Sequence, residues 1–381
     1  MKTAARLACT LLAAAALTAC TNEVEHTELP APAAGHAVSV ETLVEGLHHP
    51  WSLAFLPGGD MLITERSGAL RLVQDGVLRE EPVSGAPEVL ALSQGGLMEV
   101  VLAPDFEETG EIFLSFAHGT ARSNNTALYR ARYEDGALLD GEIIWQSRKD
   151  KTGGAHFGGR IAFLPDDTLL LTLGDGFEFR EEAQNLSNHF GTIVRLNRDG
   201  SAPADNPFAG RDDALGDIWS YGHRNVQGIV YDGETGAVWS HEHGPRGGDE
   251  LNLITPGSNY GWPIVTSGLD YSGARITPFT EHEGRFTAPV REWLPTSIAP
   301  AGMDIYRGEA FANWNGDLLI TALAGQALHR VVVENGEATA EEKLLDDLGL
   351  RLRDVRVGPD GLVYVLTDHA NGALLRLSPA D

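Results

Sequence analysis

Residues 161–174 read IAFLPDDTLLLTLG, an apolar segment followed by a Pro-Asp-Asp turn and a second apolar segment. This pattern is typical of two short β-strands joined by a tight turn. The same unit with a Pro-Asp, Gly-Asp or related turn occurs six times along the chain, and the other five copies are at residues 53–65, 100–117, 229–241, 310–322 and 355–368.

The repeat decides the fold class. Six hairpin units spaced about 50–60 residues apart are typical of a β-propeller, in which each blade is a four-stranded sheet. A second hairpin often follows the first, as at residues 67–74 and 370–379, and completes the four strands. We therefore predict an all-β protein with one six-bladed β-propeller domain over residues 38–381. A β-sandwich or two stacked barrels are the alternatives.

The N-terminus carries a targeting signal. Lys2 and Arg6 precede a short apolar run that is too short to span a bilayer, and residues 17–20 read LTAC, the form of a bacterial lipobox. We interpret residues 1–20 as a lipoprotein signal peptide with its lipobox cysteine, Cys20, and residues 21–37 as a flexible tether. An ordinary secretory signal is the alternative.

This signal predicts a periplasmic protein anchored by lipid on Cys20, and Thr21 after the cysteine resembles the pattern of outer-membrane sorting. The chain has two cysteines, and the first, Cys9, lies inside the signal, so the mature chain has no pair for an internal disulfide.

The net charge limits the partners. It is −26 for the full chain, and removal of the two basic residues of the signal leaves −28. Such a surface repels nucleic acid and anionic lipid head groups. We therefore expect a neutral small-molecule substrate, no nucleic acid, and membrane attachment through Cys20 only.

Several turns concentrate Gly, His, Arg and Asp. They read HFGGR at 156–160, LGDG at 173–176, GHRN at 222–225, HGPRGGDE at 243–250 and RLRD at 351–354. Most follow or precede a predicted strand, and a propeller brings such strand ends together at one face. Arginines beside a histidine indicate a site for a polyanionic ligand with a base next to it.

Individual residues in these turns suggest roles. His156 could accept a proton from a hydroxyl, and Asp175 at the end of the same hairpin could orient it; a histidine that only stabilises its turn is the alternative. Arg224 offers a planar fork for carboxylates or quinone-type oxygens. Arg351 and Arg353 alternate on a strand and face one side, either to bind an anion or to pair with acids such as Asp354.

The turn at residues 243–250 could hold a metal ion. Its Gly-Pro carbonyls, together with Asp249 and Glu250, are oxygen ligands of the type that calcium prefers. His241 and His243 on one strand face could instead suggest zinc, but no third zinc ligand with suitable spacing is evident.

Taken together, these turns resemble the soluble pyrroloquinoline quinone (PQQ)-dependent glucose/sorbosone dehydrogenase family, and most closely its aldose sugar dehydrogenase branch. The resemblance covers roughly residues 40–378. It implies a six-bladed propeller with PQQ over its axis and calcium bridging the cofactor to the protein.

The resemblance also implies roles for single residues. It makes His156 the catalytic base and Asp175 its partner, with Arg224 against the quinone. The remaining matches are Gln94, Arg224, Asn225, Arg351 and Arg353 as cofactor-binding residues, and the carbonyls of Gly244 and Pro245 as calcium ligands, supported by Asp249. One position departs from the glucose dehydrogenase branch: Ala324 stands where that branch has a lysine that contacts the cofactor.

The implied reaction is oxidation of the anomeric hydroxyl of an aldose to a lactone. His156 would take the hydroxyl proton, hydride would pass from that carbon to PQQ, and an external acceptor would remove the electrons. Two other classes remain open from the sequence. A calcium-dependent propeller lactonase would need acidic and amide side chains around the axis, and a non-catalytic binding propeller would need no histidine and arginines at its strand ends.

Overall fold

The computed structural model describes residues 28–33 and 37–380 and is almost entirely β-structure. The strands are β1 (Val38–Leu47), β2 (Pro50–Phe55), β3 (Met61–Glu65), β4 (Leu70–Gln74), β5 (Val77–Leu78), β6 (Leu97–Leu102), β7 (Glu111–Thr120), β8 (Ser123–Glu134), β9 (Ala137–Gln146), β10 (Ile161–Phe163), β11 (Leu169–Thr172), β12 (Thr192–Leu196), β13 (Ile218–Tyr221), β14 (Val226–Tyr231), β15 (Val238–Glu242), β16 (Asp249–Leu253), β17 (Arg291–Trp293), β18 (Pro300–Ile305), β19 (Leu318–Ala322), β20 (Leu328–Glu334), β21 (Glu337–Leu344), β22 (Leu352–Val357), β23 (Val363–Thr367) and β24 (Gly372–Pro379).

Helical structure in the described residues is short. It consists of the helix α1 (Phe106–Thr109) and three 3-10 helices, at Arg180–Gln184, Ala312–Trp314 and Asp346–Leu348. This agrees with the prediction of an all-β protein without long helices.

The strands form six antiparallel four-stranded sheets, which confirms the predicted six-bladed propeller. Blades 1 to 5 take consecutive strands, from β2–β5 to β18–β21. The sixth blade has the order β1-β24-β23-β22, so the first strand of the chain is its outer strand. Val38 pairs with Pro379 and Leu47 with Gly372, and this pairing closes the ring. Closure protects the strand edges that would otherwise remain at the two ends of the sheet array.

Five of the six predicted hairpins are the first two strands of a blade. The prediction for residues 310–322 is wrong in its first half, which is not a strand. Its blade begins earlier, at β18, and residues 310–316 form a connection that contains the 3-10 helix Ala312–Trp314. The apolar residues Phe311 and Trp314 made this segment resemble a strand, but they stack at 4.1 Å and are buried in the core between blades.

Apolar side chains from neighbouring blades fill the space between them. One core cluster joins blades 1 and 2 through Leu62, Leu70, Leu97 and Leu114. Because the middle strands are covered on both faces, strands such as β3 and β11 are buried at every position and begin with three apolar residues in a row rather than with an alternating pattern.

The direction of the strands defines two faces. The inner strand of each blade begins, and the second strand ends, at the face that we call the site face. Gln94, His156, Arg224 and Arg351 precede inner strands, and Asp175 follows a second strand, so all five lie at this face. The outer strand β1 runs toward the site face, and the chain therefore enters the propeller at the opposite face.

The predicted signal peptide, residues 1–20, lies outside the described residues, as does most of the predicted tether 21–37. Within the described part of that tether, the carbonyl of Pro30 accepts a hydrogen bond of 3.0 Å from the backbone of Glu341 on blade 5. In the part of the chain that the structure describes, no helix is long and apolar enough to cross a membrane.

Candidate active site

The site face holds a buried histidine–carboxylate pair. Nδ1 of His156 lies 2.6 Å from Oδ1 of Asp175, and the two residues are 4% and 1% exposed. The carboxylate also accepts hydrogen bonds from Phe177 N and from Nε1 of Trp262, both at 2.8 Å. An ionised carboxylate only accepts hydrogen bonds, so Nδ1 carries the proton and Nε2 of the neutral ring is the nitrogen that can take one.

The backbone around His156 is held in an unusual conformation. Its φ is +53°, a left-handed value that a non-glycine residue adopts only when its surroundings fix it. Oε1 of Gln94 accepts a hydrogen bond from His156 N at 2.8 Å, and Oδ1 of Asn225 accepts one from Gly158 N at 3.2 Å. Two side chains from neighbouring blades thus fix the orientation of the imidazole.

Burial and nearby charges keep His156 neutral and Asp175 ionised. Burial lowers the pKa of His156, and the charges of Arg224 and Lys151 act in the same direction, while Asp175 opposes them. Burial would raise the pKa of Asp175, but the hydrogen bond and charge of His156, together with Arg224, bring it below its ordinary value. At neutral pH the arrangement is therefore a neutral imidazole beside a carboxylate, as a general base requires.

Arg224 connects this pair to the turn at residues 243–250. Its Nη1 donates to the carbonyls of His243 at 2.9 Å and Gly244 at 2.6 Å, and its guanidinium lies 5.3 Å from the ring of Trp262. The next residue, Asn225, is 1% exposed, and its Nδ2 has no hydrogen-bond partner among the described residues. A buried amide without a partner is a donor available to a ligand.

The turn after β15 folds back tightly on itself. A Cβ atom at residue 244 would lie 2.2 Å from the carbonyl oxygen of Gly248, so only glycine fits there. Asp249 braces the turn, because its carboxylate accepts hydrogen bonds from Gly244 N at 2.8 Å and Ala299 N at 2.9 Å and from the Ser297 hydroxyl. This placement agrees with the supporting role predicted for Asp249.

A calcium ion at this turn would have to be held by backbone oxygens rather than by side chains. The Gly244 carbonyl has two lone pairs and gives one to Arg224, which leaves the other for a cation. No group of three or more His, Cys, Asp or Glu side chains among the described residues is arranged to hold a metal. In particular, Nε2 of His243 lies 2.7 Å from the Pro300 carbonyl, and burial lowers the pKa of this histidine to about 3.

On the sixth blade, Arg351 and Arg353 face one carboxylate. Both guanidiniums contact Oδ2 of Asp368, at 3.1 and 3.3 Å. The alternative partner considered from the sequence, Asp354, is wrong, because strand alternation points it to Arg160 at 2.8 Å and Arg356 at 3.1 Å instead.

This arginine cluster carries an excess of positive charge. The charge of Arg66 also acts on Arg353 and Asp368, so three guanidiniums share one carboxylate. Burial lowers the pKa of Arg353 to about 10, and its Nε has no hydrogen-bond partner among the described residues. A buried guanidinium with a free donor fits the carboxylates of a polyanionic ligand such as PQQ.

Ala324 follows β19 and is exposed at the site face. The chain therefore presents a methyl group at the position where the resemblance places a lysine of the glucose dehydrogenase branch.

A cavity of about 320 Å³ opens beside Asp175, the carboxylate of the histidine–carboxylate pair. Its walls include Asp175, Arg224 and Trp262, and its rim includes Phe177 and Tyr271, which are 44% and 62% exposed. The sequence analysis did not identify Trp262, Phe177 or Tyr271 as site residues. Trp262 and Tyr271 come from the long connection between β16 and β17, where no periodic pattern indicated a position; the Gly-Trp-Pro sequence at 261–263 was the only local sign of a fixed turn.

A six-bladed propeller with a buried base and an arginine cluster at one face is the arrangement expected of sugar-oxidising propeller enzymes. Comparison with protein families bears this out: residues 47–376 match the model of the glucose/sorbosone dehydrogenases, and the chain belongs to that family. It is thus a member of a family of sugar dehydrogenases, which are oxidoreductases.

Individual relatives give the same result. The chain is 42% identical over 355 residues to the aldose sugar dehydrogenase YliI of Escherichia coli, covering 91% of this chain and 94% of the relative. The crystal structure of the soluble aldose sugar dehydrogenase of Escherichia coli in its apo form matches with a TM-score of 0.87 and 41% identity, over 90% of this chain and 100% of that one. The PQQ-bound aldose sugar dehydrogenase of Streptomyces coelicolor matches with a TM-score of 0.71 and 28% identity, over 90% and 99%.

Proposed function

We propose that this protein is a PQQ- and calcium-dependent dehydrogenase that oxidises the anomeric C1 hydroxyl of aldose sugars to lactones. The observation that carries the proposal is that the buried pair of His156 and Asp175 lies at the same face as the arginine cluster around Arg353, in which the positive charge exceeds the negative charge. The pair supplies a base, and the cluster supplies a binding site for an anionic cofactor. The PQQ-bound relative from Streptomyces coelicolor supports the choice of cofactor.

The chain's own residues would divide the work as follows. Nε2 of His156 takes the proton of the sugar hydroxyl, and Asp175 stabilises the imidazolium that forms, through a hydrogen bond of 2.6 Å to Nδ1. Arg224 directs positive charge into the 320 Å³ cavity, where negative charge develops. Gln94 and Asn225 hold the left-handed backbone at residues 156–158 that aims the imidazole.

The cofactor would be held at three places. Gln94, Arg224 and Asn225 lie around the base, and Arg351 and Arg353 would meet the cofactor's carboxylates. The carbonyls of Gly244 and Pro245 would hold calcium. When bound, PQQ supplies the hydride acceptor that the protein's side chains lack, and calcium polarises the quinone.

The dehydrogenase is favoured over the two other classes by what surrounds the axis. A lactonase would need carboxylates free to bind calcium there, but Glu99 and Asp354 are both engaged by Arg160 and Arg356. A binding propeller would have no use for a strained histidine held by Gln94.

We also propose that the mature protein is periplasmic, attached by lipid on Cys20 and sorted to the outer membrane, and that it passes electrons to an external acceptor. The sequence of residues 17–20 supports the lipid attachment. Labelling of cells with a palmitate analogue, followed by comparison with Cys20→Ala, tests it: label should appear on the native chain and be absent from the variant.

Reconstitution tests the enzymatic proposal. The chain from residue 21 is incubated with PQQ and Ca²⁺, and dye reduction is followed with a panel of aldoses; an EDTA-treated sample is the control. Sugar-dependent reduction that needs both additions is the expected result. Absence of both activity and PQQ binding would contradict the proposal, and lactone hydrolysis by the same sample would indicate the lactonase.

A further inference from the structure

Lys151, which has no part in the proposed mechanism, is buried close to His156. Lys151 is only 4% exposed, and its backbone pairs with Asn124 on β8, with N–O distances of 2.8 and 3.0 Å. Its Nζ lies 3.5 Å from the centre of the Phe157 ring, next in sequence to His156. A Cβ atom at Gly176, next to Asp175, would lie 2.8 Å from its Cδ. The side chain thus runs between the residues that flank the two members of the pair.

Lys151 and His156 also line one cavity of about 10 Å³, which has room for no more than about one water molecule. Over the part of the chain that the structure describes, Nζ of Lys151 has no hydrogen-bond partner. Burial lowers the pKa of this lysine to about 8, and the charge of Asp175 raises it against that trend. At neutral pH the lysine is therefore still an ammonium, and the burial of its charge lowers stability.

Nζ of Lys151 forms no hydrogen bond to the described residues, and its contact with the ring of Phe157 places the charge next to the base. We propose that Lys151 is a positioning residue whose buried ammonium keeps His156 neutral and Asp175 ionised, so that the pair is ready to accept a proton. This inference rests on the proposed function only for what His156 does with that proton; the electrostatic relation itself exists without cofactor or substrate.

Four groups set the field at His156, each from a different element. Asp175 after β11 favours the imidazolium, whereas Arg224 before β14 and Lys151 before β10 disfavour it. His243 after β15 is the fourth, and burial holds it neutral. Arg224 is already committed to the carbonyls of His243 and Gly244, so Lys151 is the cation whose charge can be removed without disturbing the turn at residues 243–250.

The test is a histidine titration by NMR on the cofactor-free protein, with the His156 signal assigned from its absence in His156→Asn. Lys151→Met should raise the pKa of His156 by about half a unit to one unit, because a nearby positive charge has been removed. Lys151→Arg should restore the native value. The matched control is Lys149→Met: Lys149 is 44% exposed, and its Nζ pairs with Glu182 at 2.6 Å, so the titration of His156 should not change.

Two further measurements separate the proposal from a structural role. The acid limb of the kcat/KM profile should move to higher pH in Lys151→Met by the same amount as the histidine titration, with little change in rate on the alkaline plateau. The melting temperature of Lys151→Met at pH 7 should equal or exceed that of the native protein, since a buried unpaired charge is lost; the gain should shrink as pH rises beyond 8, where the native lysine also becomes neutral.

An unchanged His156 titration in a folded Lys151→Met protein would overturn the proposal. If that variant does not fold, Lys151 itself can be titrated by ¹³C NMR after reductive methylation, because the chain from residue 21 has only three lysines. Its pKa should fall in Asp175→Asn, and an unchanged value would equally overturn the proposal. Failure of the enzymatic proposal would appear instead as absent PQQ-dependent turnover with these titrations intact.

Discussion

Replacement of Asp175 by asparagine should damage both stability and catalysis, for a reason that the hydrogen bonds make explicit. Oδ1 of Asp175 accepts from His156 Nδ1 and Phe177 N, and Oδ2 accepts from Trp262 Nε1. All three partners are donors, and asparagine has one acceptor oxygen and one NH₂ group. Either orientation of the amide places a donor against a donor.

The magnitude follows from which donor loses its acceptor. With the amide oxygen toward His156, the indole N–H of Trp262 is buried without a partner; with the oxygen toward Trp262, the same happens to Phe177 N. A buried donor left unsatisfied costs about 1–3 kcal/mol. In the second orientation the NH₂ group also forces the imidazole into the tautomer that carries its proton on Nε2, which cannot act as the base. We expect kcat to fall about 100-fold or more, since a hydrogen bond to a charged group contributes about 1.5–3 kcal/mol and the imidazolium also loses its counter-charge.

Urea unfolding of the cofactor-free protein measures the first effect, and steady-state dye reduction after reconstitution measures the second. Trp262→Phe provides an internal control, because it removes the indole donor and lets asparagine turn its NH₂ group toward that side. Asp175→Asn should therefore cost less stability in the Trp262→Phe background than in the native one. Equal costs in both backgrounds, or a kcat within about fivefold of the native value with PQQ bound, would refute this reasoning.

Four other outcomes are expected. His156→Ala should abolish turnover while PQQ titration still shows binding; a nearly normal rate would remove this residue from the role of base. Burial lowers the pKa of His156 from its ordinary value of 6.5, so the imidazole should remain neutral, and able to act as a base, at pH values somewhat below 6.5. The acid limb of kcat/KM should therefore lie below pH 6.5 in a pH profile measured at constant ionic strength. Arg353→Met should weaken PQQ binding about 10–100-fold, as a buried hydrogen bond to charge is lost, whereas Arg351→Met, with its side chain 47% exposed, should weaken it only severalfold; equal losses in calorimetric titrations would contradict this ranking. Ala324→Lys should strengthen PQQ binding by a factor of about 2–5, the contribution of one exposed ion pair, and an unchanged dissociation constant would show that the new lysine does not reach the cofactor.

The fold was largely predictable because local chemistry repeats. Each Pro-Asp or Gly-Asp turn between apolar runs specifies a hairpin without knowledge of distant residues, and five of six were placed correctly. The exception, at residues 310–322, shows the limit of this reasoning: Phe311 and Trp314 are apolar because they fill the gap between two blades, not because they belong to a strand.

The site was predictable only where it lies next to a strand. The turns that contain His156, Asp175 and Arg353 adjoin predicted strands, so they could be recognised from the sequence. Lys151 and Trp262 come from long connections, and their positions depend on contacts with residues far along the chain, such as the hydrogen bond between Trp262 and Asp175 across 87 positions. Asp368, the partner of the two arginines, directly follows β23 and was still missed, because its sequence neighbours do not indicate that Arg351 and Arg353 face it.

Under the proposed lipid attachment at Cys20, the closing strand of the ring would also set how the propeller is oriented on a membrane. Since β1 begins at the face opposite the site and Pro30 is fastened to the side of blade 5, a lipid on Cys20 would hold the propeller by its far face and flank. The ten residue steps from Cys20 to Pro30 span at most about 35 Å when extended. The rim formed by Phe177 and Tyr271 would then open away from the bilayer, where a soluble sugar would reach it by diffusion.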